Sequence, residues 1–297
     1  MVSLKLEIWK GQVMKKEIAL IVDSGIDVPD SIIKEYGIYL LPLKVIYKDR
    51  EYSDGVDISS SEVYDRLSVE IPTTSLPSTK DTLEILDRIK QDGYKKVLAV
   101  TLSSGLSGTY NMISLIARDY EGLEIAVVDT RNIGIAGGLT AIQAAEFIEE
   151  GMDFEMLKVK CEEVASKSKI FFCISTLEYL QKGGRIGLVS SVVGNALNLK
   201  PIISCNEEGV YYTVSKISGR KRSIEKMIEL AFEYASKGDL YNIAVVHGGA
   251  AEDAMKLKER VKDKFTKCKK FFESQVSPAL GVHTGPGLLG IGVQILE

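Results

Sequence analysis

Short apolar runs alternate along the chain with segments in which apolar residues return every three or four positions. Residues 17–22 (EIALIV) form an apolar run of buried-strand type, and residues 30–35 begin a helical turn. Residues 38–47 are apolar and β-branched, and Asp49-Arg50-Glu51 reads as a hairpin tip. Residues 60–67 and 79–90 are helical; in the second, Leu83, Leu86 and Ile89 recur at three-residue steps. A strand over 96–100, a helix over 112–120 and a strand over 123–128 follow, and then helices over 135–149 and 154–166. Residues 170–175 are again strand-like.

The second half places strands near 201–204, 210–215, 242–246, 270–272 and 289–296, with helices over 223–236 and 251–264 between them. Alternation of this kind predicts an α/β fold of two domains. The expected architecture is a mainly parallel sheet with flanking helices in an N-terminal domain, residues 15–170, and a smaller C-terminal α/β domain, residues 171–297. Residues 1–14 read as an extension outside the core.

Composition narrows the function. A chain of 297 residues with 45% hydrophobic and 26% charged residues is ordinary for a folded protein. The net charge of −4 argues against a nucleic-acid partner, which favours a basic footprint. Cys161, Cys173, Cys205 and Cys268 are far apart, with no zinc-ligand spacing, and read as reduced thiols of a cytoplasmic protein. No apolar run reaches the roughly 18–20 residues of a membrane helix, so no transmembrane segment is expected.

The candidate chemistry lies where strands end. In open α/β sheets ligands sit beyond the carboxyl ends of strands. Polar clusters fall at such ends: Asp23-Ser24, the loop 103–110 (SSGLSGTY), Asp129-Thr130 and His247-Gly248-Gly249. Thr73-Thr74-Ser75-Leu76-Pro77-Ser78 precedes a helix, and Gly281-Val282-His283-Thr284-Gly285-Pro286-Gly287 precedes the last strand. Ser78, Ser104 and Ser107 are each suited to helix capping. Gly105 and Gly108 would also let backbone approach a ligand, and hydroxyls with N–H groups at a helix start suit an anion. GxxxxGK[ST] and GxGxxG are absent, and no Lys or Arg lies between residues 96 and 118. A triphosphate requires a cation or metal, so the loop suits a single carboxylate. His283, flanked by glycines, reads as a loop-apex residue that donates to an anion or acts as a base. His247 reads as structural. Asp54 and Asp57 read as a solvated loop. Arg185, among Gly183, Gly184 and Gly187, is either a residue beside a glycine helix cap or a cation displayed to a partner or a phosphate.

Taken together, these motifs resemble the DegV family of bacterial fatty-acid-binding proteins. The resemblance rests on Asp23-Ser24, on 74–78 (TSLPS), on 103–110, on 177–186 (LEYLQKGGRI) and on 283–287 (HTGPG), in that order from about residue 15 onward. It implies a buried long-chain fatty acid as ligand, no cofactor and no metal, and no catalytic residue in the chain itself. It places the carboxylate against Thr74, Ser75, Ser104, Ser107, His283 and Thr284. It also implies a separate fatty acid kinase as partner, phosphorylating the bound carboxylate to an acyl phosphate, with Arg185 facing that kinase. Leu76 and Ser218 depart from the family pattern, the latter at a position where many relatives carry arginine. A sixteen-carbon chain with roughly 15 buried carbons at about 0.8 kcal/mol each would supply about 12 kcal/mol gross, so the chain carries the affinity. The head group must chiefly avoid a desolvation penalty. Small residues over 134–145 either make room for that chain or allow close helix packing. Two other readings remain: a serine-type acyl hydrolase, and a binder of small polar ligands of the phosphosugar type.

Overall fold

The computed structural model describes residues 17–192 and 199–296. The expected extension 1–14 lies outside the described residues. Four strands, β1 (Ile18–Asp23), β2 (Tyr39–Leu41), β6 (Lys96–Thr101) and β7 (Glu124–Asp129), form a parallel sheet in the order β2-β1-β6-β7. Ile18 pairs with Lys96 and Val22 with Val100. Strand order reverses between β1 and β6, so the crevice beyond their carboxyl ends is where a ligand is expected.

A second sheet has the order β10-β9-β8-β13-β11-β12. Its strands are β8 (Ser168–Cys173), β9 (Ile202–Cys205), β10 (Tyr211–Ser215), β11 (Tyr241–Gly248), β12 (Cys268–Gln275) and β13 (Leu288–Ile295). All its pairings are antiparallel except β11 with β12. Helices α8 (Arg220–Ala235) and α9 (Ala251–Lys264) bury Met227, Leu257 and Val261 on this sheet. Helices α3 (Thr79–Gln91) and α4 (Thr109–Asp119) bury Leu86, Ile89 and Ile113 on the parallel sheet.

Helix α5 (Ile135–Glu149) packs against both sheets and is followed by α6 (Phe154–Ser166). Every residue from 135 to 142 is buried, which is why α5 is apolar all round. Its small residues allow close packing: a Cβ on Gly137 would lie 2.6 Å from Ile26 Cγ2, and one on Gly138 2.5 Å from the Ile26 carbonyl oxygen. Among the described residues no helix is long and apolar enough to cross a membrane.

Several local expectations change. Residues 38–47 are not one strand. Pro42 cannot donate to a ladder, and beyond it the chain enters a separate three-stranded antiparallel sheet, β4-β3-β5. That sheet comprises β3 (Lys44–Ile46), β4 (Glu51–Ser53) and β5 (Thr73–Ser75). Thr73-Thr74-Ser75 is therefore a strand, with Thr74 opposite Val45. Residues 278–284 are helical rather than a loop apex: α10 (Pro278–Thr284) packs on α2 (Ser60–Arg66) and on β3 and β5. Pro278 sits in its first turn, where a missing N–H costs nothing. Asp54 is fully buried rather than solvated, while Asp57 is exposed as expected.

Candidate functional site

The crevice between β1 and β6 is built by backbone pinning. Asp23, at the end of β1, accepts from the Gly25 N–H with Oδ1 and from the Leu102 N–H with Oδ2, both at 2.8 Å. It thereby ties β1 to the loop that follows β6. Ser24 Oγ accepts the Leu43 N–H at 2.9 Å, tying the small sheet to the same point. Burial pushes the Asp23 carboxyl up to about 7 and that of Asp54 up to about 6. Asp54 Oδ1 accepts the Ala279 N–H at 2.8 Å and Asp27 Oδ1 accepts the Ser277 N–H at 3.0 Å. Both carboxyl groups thus hold the start of α10.

At this crevice lies a cavity of about 190 Å³. Its lining includes the polar residues Thr74, Ser75, Ser107, Arg185 and His283 and the apolar or aromatic residues Leu43, Leu102, Leu106, Ile133, Tyr211 and Leu280. Thr74 Oγ1 and His283 Nε2 are 2.7 Å apart, though 209 residues separate them in the chain. Nδ1 of His283 is buried without a partner, and it lies against Gly183, where a Cβ would come within 2.1 Å of it. With no acceptor at Nδ1 we assign the ring proton to Nε2, which donates to Thr74 and leaves the threonine hydroxyl free to donate into the cavity. Burial, with the Arg185 charge adding to it, lowers the His283 pKa to about 4, so the ring is neutral near pH 7.

Ser107 precedes α4, whose N-cap position is taken by Gly108. Its Oγ accepts the Thr109 N–H at 3.3 Å and shares a 2.9 Å hydrogen bond with Thr109 Oγ1. Gly108 also lines the cavity, so the positive end of the α4 dipole faces it. The predicted residues do not all converge. Ser104 lines neither this cavity nor its neighbour and caps no helix; its N–H donates to Asp129 Oδ1 at 3.1 Å. Thr284 is buried, donates back to the Leu280 carbonyl at 3.0 Å and lines a second, inner chamber. Ser78 does cap α3, accepting the Asp81 N–H at 3.0 Å. His247 accepts the Ala250 N–H at 3.4 Å ahead of α9, a structural role. Gly105 serves chain packing: a Cβ there would come within 2.6 Å of the Glu208 carbonyl oxygen.

Arg185 alters the electrostatics expected of an uncharged loop. It follows α7 (Glu178–Lys182), is half-buried, and donates to the Gly183 carbonyl at 3.0 Å and to the Leu106 carbonyl at 3.5 Å. Loop 103–110 is neutral, but the fold delivers a guanidinium to the same cavity. No periodicity signals this, because the contact joins segments 79 residues apart. No local pattern marks Leu43 or Tyr211 as cavity residues, and only the placing of Asp27 just after a buried strand hints at its burial.

No serine–histidine pair is assembled in the cavity. Ser107 bonds Thr109 and His283 bonds Thr74, so the hydroxyl within reach of the imidazole is a threonine's and not a serine's. The cysteines are free, and no group of metal-ligating side chains occurs among the described residues.

The sequence model described as "Uncharacterised protein, DegV family" matches residues 17–295. A DegV domain-containing protein of Clostridium acetobutylicum is 44% identical over 276 residues, covering 93% of this chain and 98% of that protein. A DegV family protein from Thermus thermophilus, whose structure is described by its fatty acid binding, superposes with a TM-score of 0.88 at 28% identity, covering 94% of this chain and 100% of that one. A stearic acid-binding protein from Eubacterium ventriosum superposes with a TM-score of 0.85 at 26% identity, covering 94% of this chain and 98% of that one.

Proposed function

The chain belongs to the DegV family, and from that premise we propose that it is a cytoplasmic binder of long-chain fatty acids. The observation that carries the proposal is a cavity whose lining combines hydroxyl and guanidinium donors with apolar side chains. The carboxylate meets the hydroxyls of Thr74 and Ser107, with His283 orienting the Thr74 hydroxyl and Arg185 supplying the countercharge. An unpaired carboxylate in an apolar cleft costs several kcal/mol, and hydrogen bonds to charged groups are worth about 1.5–3 kcal/mol each. Two hydroxyls and a guanidinium offset that cost without requiring the acid to bind protonated. The relatives described as fatty-acid-binding support the ligand class.

Denaturing extraction of the purified protein followed by mass spectrometry should recover a long-chain fatty acid. Recovery of none, with none bound on addition, would end this reading. A small polar molecule in its place would favour a phosphosugar-type binder. Ser107→Ala and His283→Ala should each weaken binding about tenfold; if both bind as the parent does, the head-group assignment is wrong.

The proposal extends to a partner. A separate kinase would phosphorylate the presented carboxylate, leaving this chain without catalytic residues of its own. Reconstitution with the kinase of the same cell, ATP and fatty acid should give acyl phosphate. Arg185→Ala separates two roles. Weaker binding assigns Arg185 to the ligand; intact binding with slower turnover assigns it to the kinase.

A further inference from the structure

Two neighbouring spaces share three lining residues. Ile133, Tyr211 and Leu280 line both the head-group cavity of about 190 Å³ and the inner chamber of about 20 Å³. These side chains stand between the two volumes as a septum. Phe172 and Val246 lie beyond it, in the chamber alone, whereas Thr74, Ser107 and Arg185 lie in front of it, in the cavity alone. A chain whose carboxylate is held by those donors runs along the apolar lining and has the septum as its limit on the chamber side.

Tyr211 is the largest of the three, and it is firmly held. It is buried and opens β10 opposite Cys205 of β9. Its ring meets that of Phe172 edge to face, with centroids 5.4 Å apart and planes at 66°. The ring thus rests on a chamber residue while the same side chain lines the cavity. Gly187 backs it closely: a Cβ there would lie 2.9 Å from the Tyr211 carbonyl oxygen. The turn before β10 is pinned as well. Ser103 Oγ donates to the Gly209 carbonyl and the Val210 N–H donates to Asn206 Oδ1, both at 2.8 Å. Burial holds the Tyr211 hydroxyl well above its ordinary value, so the phenol is neutral and needs no countercharge. A ring packed in this way gives little when pushed.

Each methylene added to a buried chain raises affinity about fourfold. The rise stops where the next carbon has to displace a packed side chain, because overpacking costs more than the added burial returns. Resting on the fatty-acid reading, we propose that Tyr211 is the residue that determines acyl length: with Ile133 it closes the chamber end of the cavity and sets the longest chain that the cavity holds. The head-group residues take no part in this choice, since every saturated fatty acid presents the same carboxylate to them.

The test uses the full chain, stripped of lipid, and measures the affinity of each saturated fatty acid from octanoate to eicosanoate. In the parent protein affinity should climb with length and then level off at one acid. Tyr211→Leu, which removes the ring and joins the two volumes, should move that limit to longer acids. An acid two methylenes past the parent's limit should gain about tenfold. Ile133→Ala opens the septum at a second point and should move the limit the same way, which keeps the proposal testable if Tyr211→Leu does not fold. Tyr211→Phe, which keeps the ring, should keep the parent's limit. Affinity that climbs through eicosanoate in the parent overturns the proposal. So does a limit that stays in place in folded Tyr211→Leu or in Ile133→Ala, or one that moves in Tyr211→Phe. If no fatty acid binds at all, the fatty-acid reading itself has failed, a result distinct from an unmoved limit.

Discussion

At the start of α10 the N–H groups of Ser277 and Ala279 are held by Asp27 and Asp54, carboxyl groups contributed from more than 200 residues upstream. At its other end His283 reaches Thr74 and touches Gly183. The two ends meet the same physical problem with opposite charges. Burial raises the acids and lowers the imidazole, so the neutral form is favoured at both. The acid end holds backbone in place, whereas the histidine end faces a cavity. A short helix of seven residues thus transmits the anchoring of one end to the position of a site residue at the other.

Breaking the acid end should have the largest effect on the fold. Asp54→Ala leaves the buried Ala279 N–H unpaired and should cost about 2 kcal/mol in urea unfolding, while Asp54→Asn, which keeps an acceptor, should cost less than half of that. Equal losses in the two variants would mean that the hydrogen bond is not what matters.

Breaking the histidine end should instead appear in binding. Gly183→Val places side-chain atoms where His283 Nδ1 lies and should weaken fatty acid binding about tenfold, with stability changed by roughly 1 kcal/mol. A variant that binds normally would show that the position of His283 is unimportant.

The contrast sharpens with pH. Asp23 and Asp54 hold protons in the fold up to about 7 and 6, against an ordinary 3.8. Their contribution is fully present below about pH 4 and is lost as pH rises towards 7. His283 loses its proton in the fold down to about 4, against an ordinary 6.5, so its contribution is present above 6.5 and lost as pH falls through that window. Urea midpoints between pH 4 and 7 should therefore show a shallower decline with rising pH in Asp23→Asn, and a steeper one in His283→Gln. The same slope in all three proteins would contradict both shifts.

Ser104→Ala should have the smallest effect, under about 0.5 kcal/mol in stability and no change in binding, because only the Ser104 backbone is engaged.

Much of this fold is legible in the chain. Helices α5 and α6 fall over the residues expected from the sequence, and β1 and β6 where apolar runs stop at polar residues. The motifs around Thr74, Ser107 and His283 are equally visible. Local pattern misled where burial came from distant segments. The glycines around His283 suggested a loop, yet Ser277 and Pro278 start a helix, with Ser277 Oγ accepting the Leu280 N–H. Asp54 resembled a solvated acid because its partners, Ser24 and the Ala279 N–H, lie far away in sequence.

By itself the sequence determined the α/β alternation, the uncharged hydroxyl loop after β6 and the order of motifs that marks the family. Each of these is a local property, set by periodicity, turn chemistry or adjacent residues. Only the tertiary structure decided that Arg185 lines the same cavity as Ser107, that His283 bonds Thr74 while Ser104 and Thr284 turn elsewhere, and that Asp27 and Asp54 are buried against the start of α10. Those outcomes depend on which side chains long-range packing deprives of water, and one residue's neighbours along the chain do not specify that.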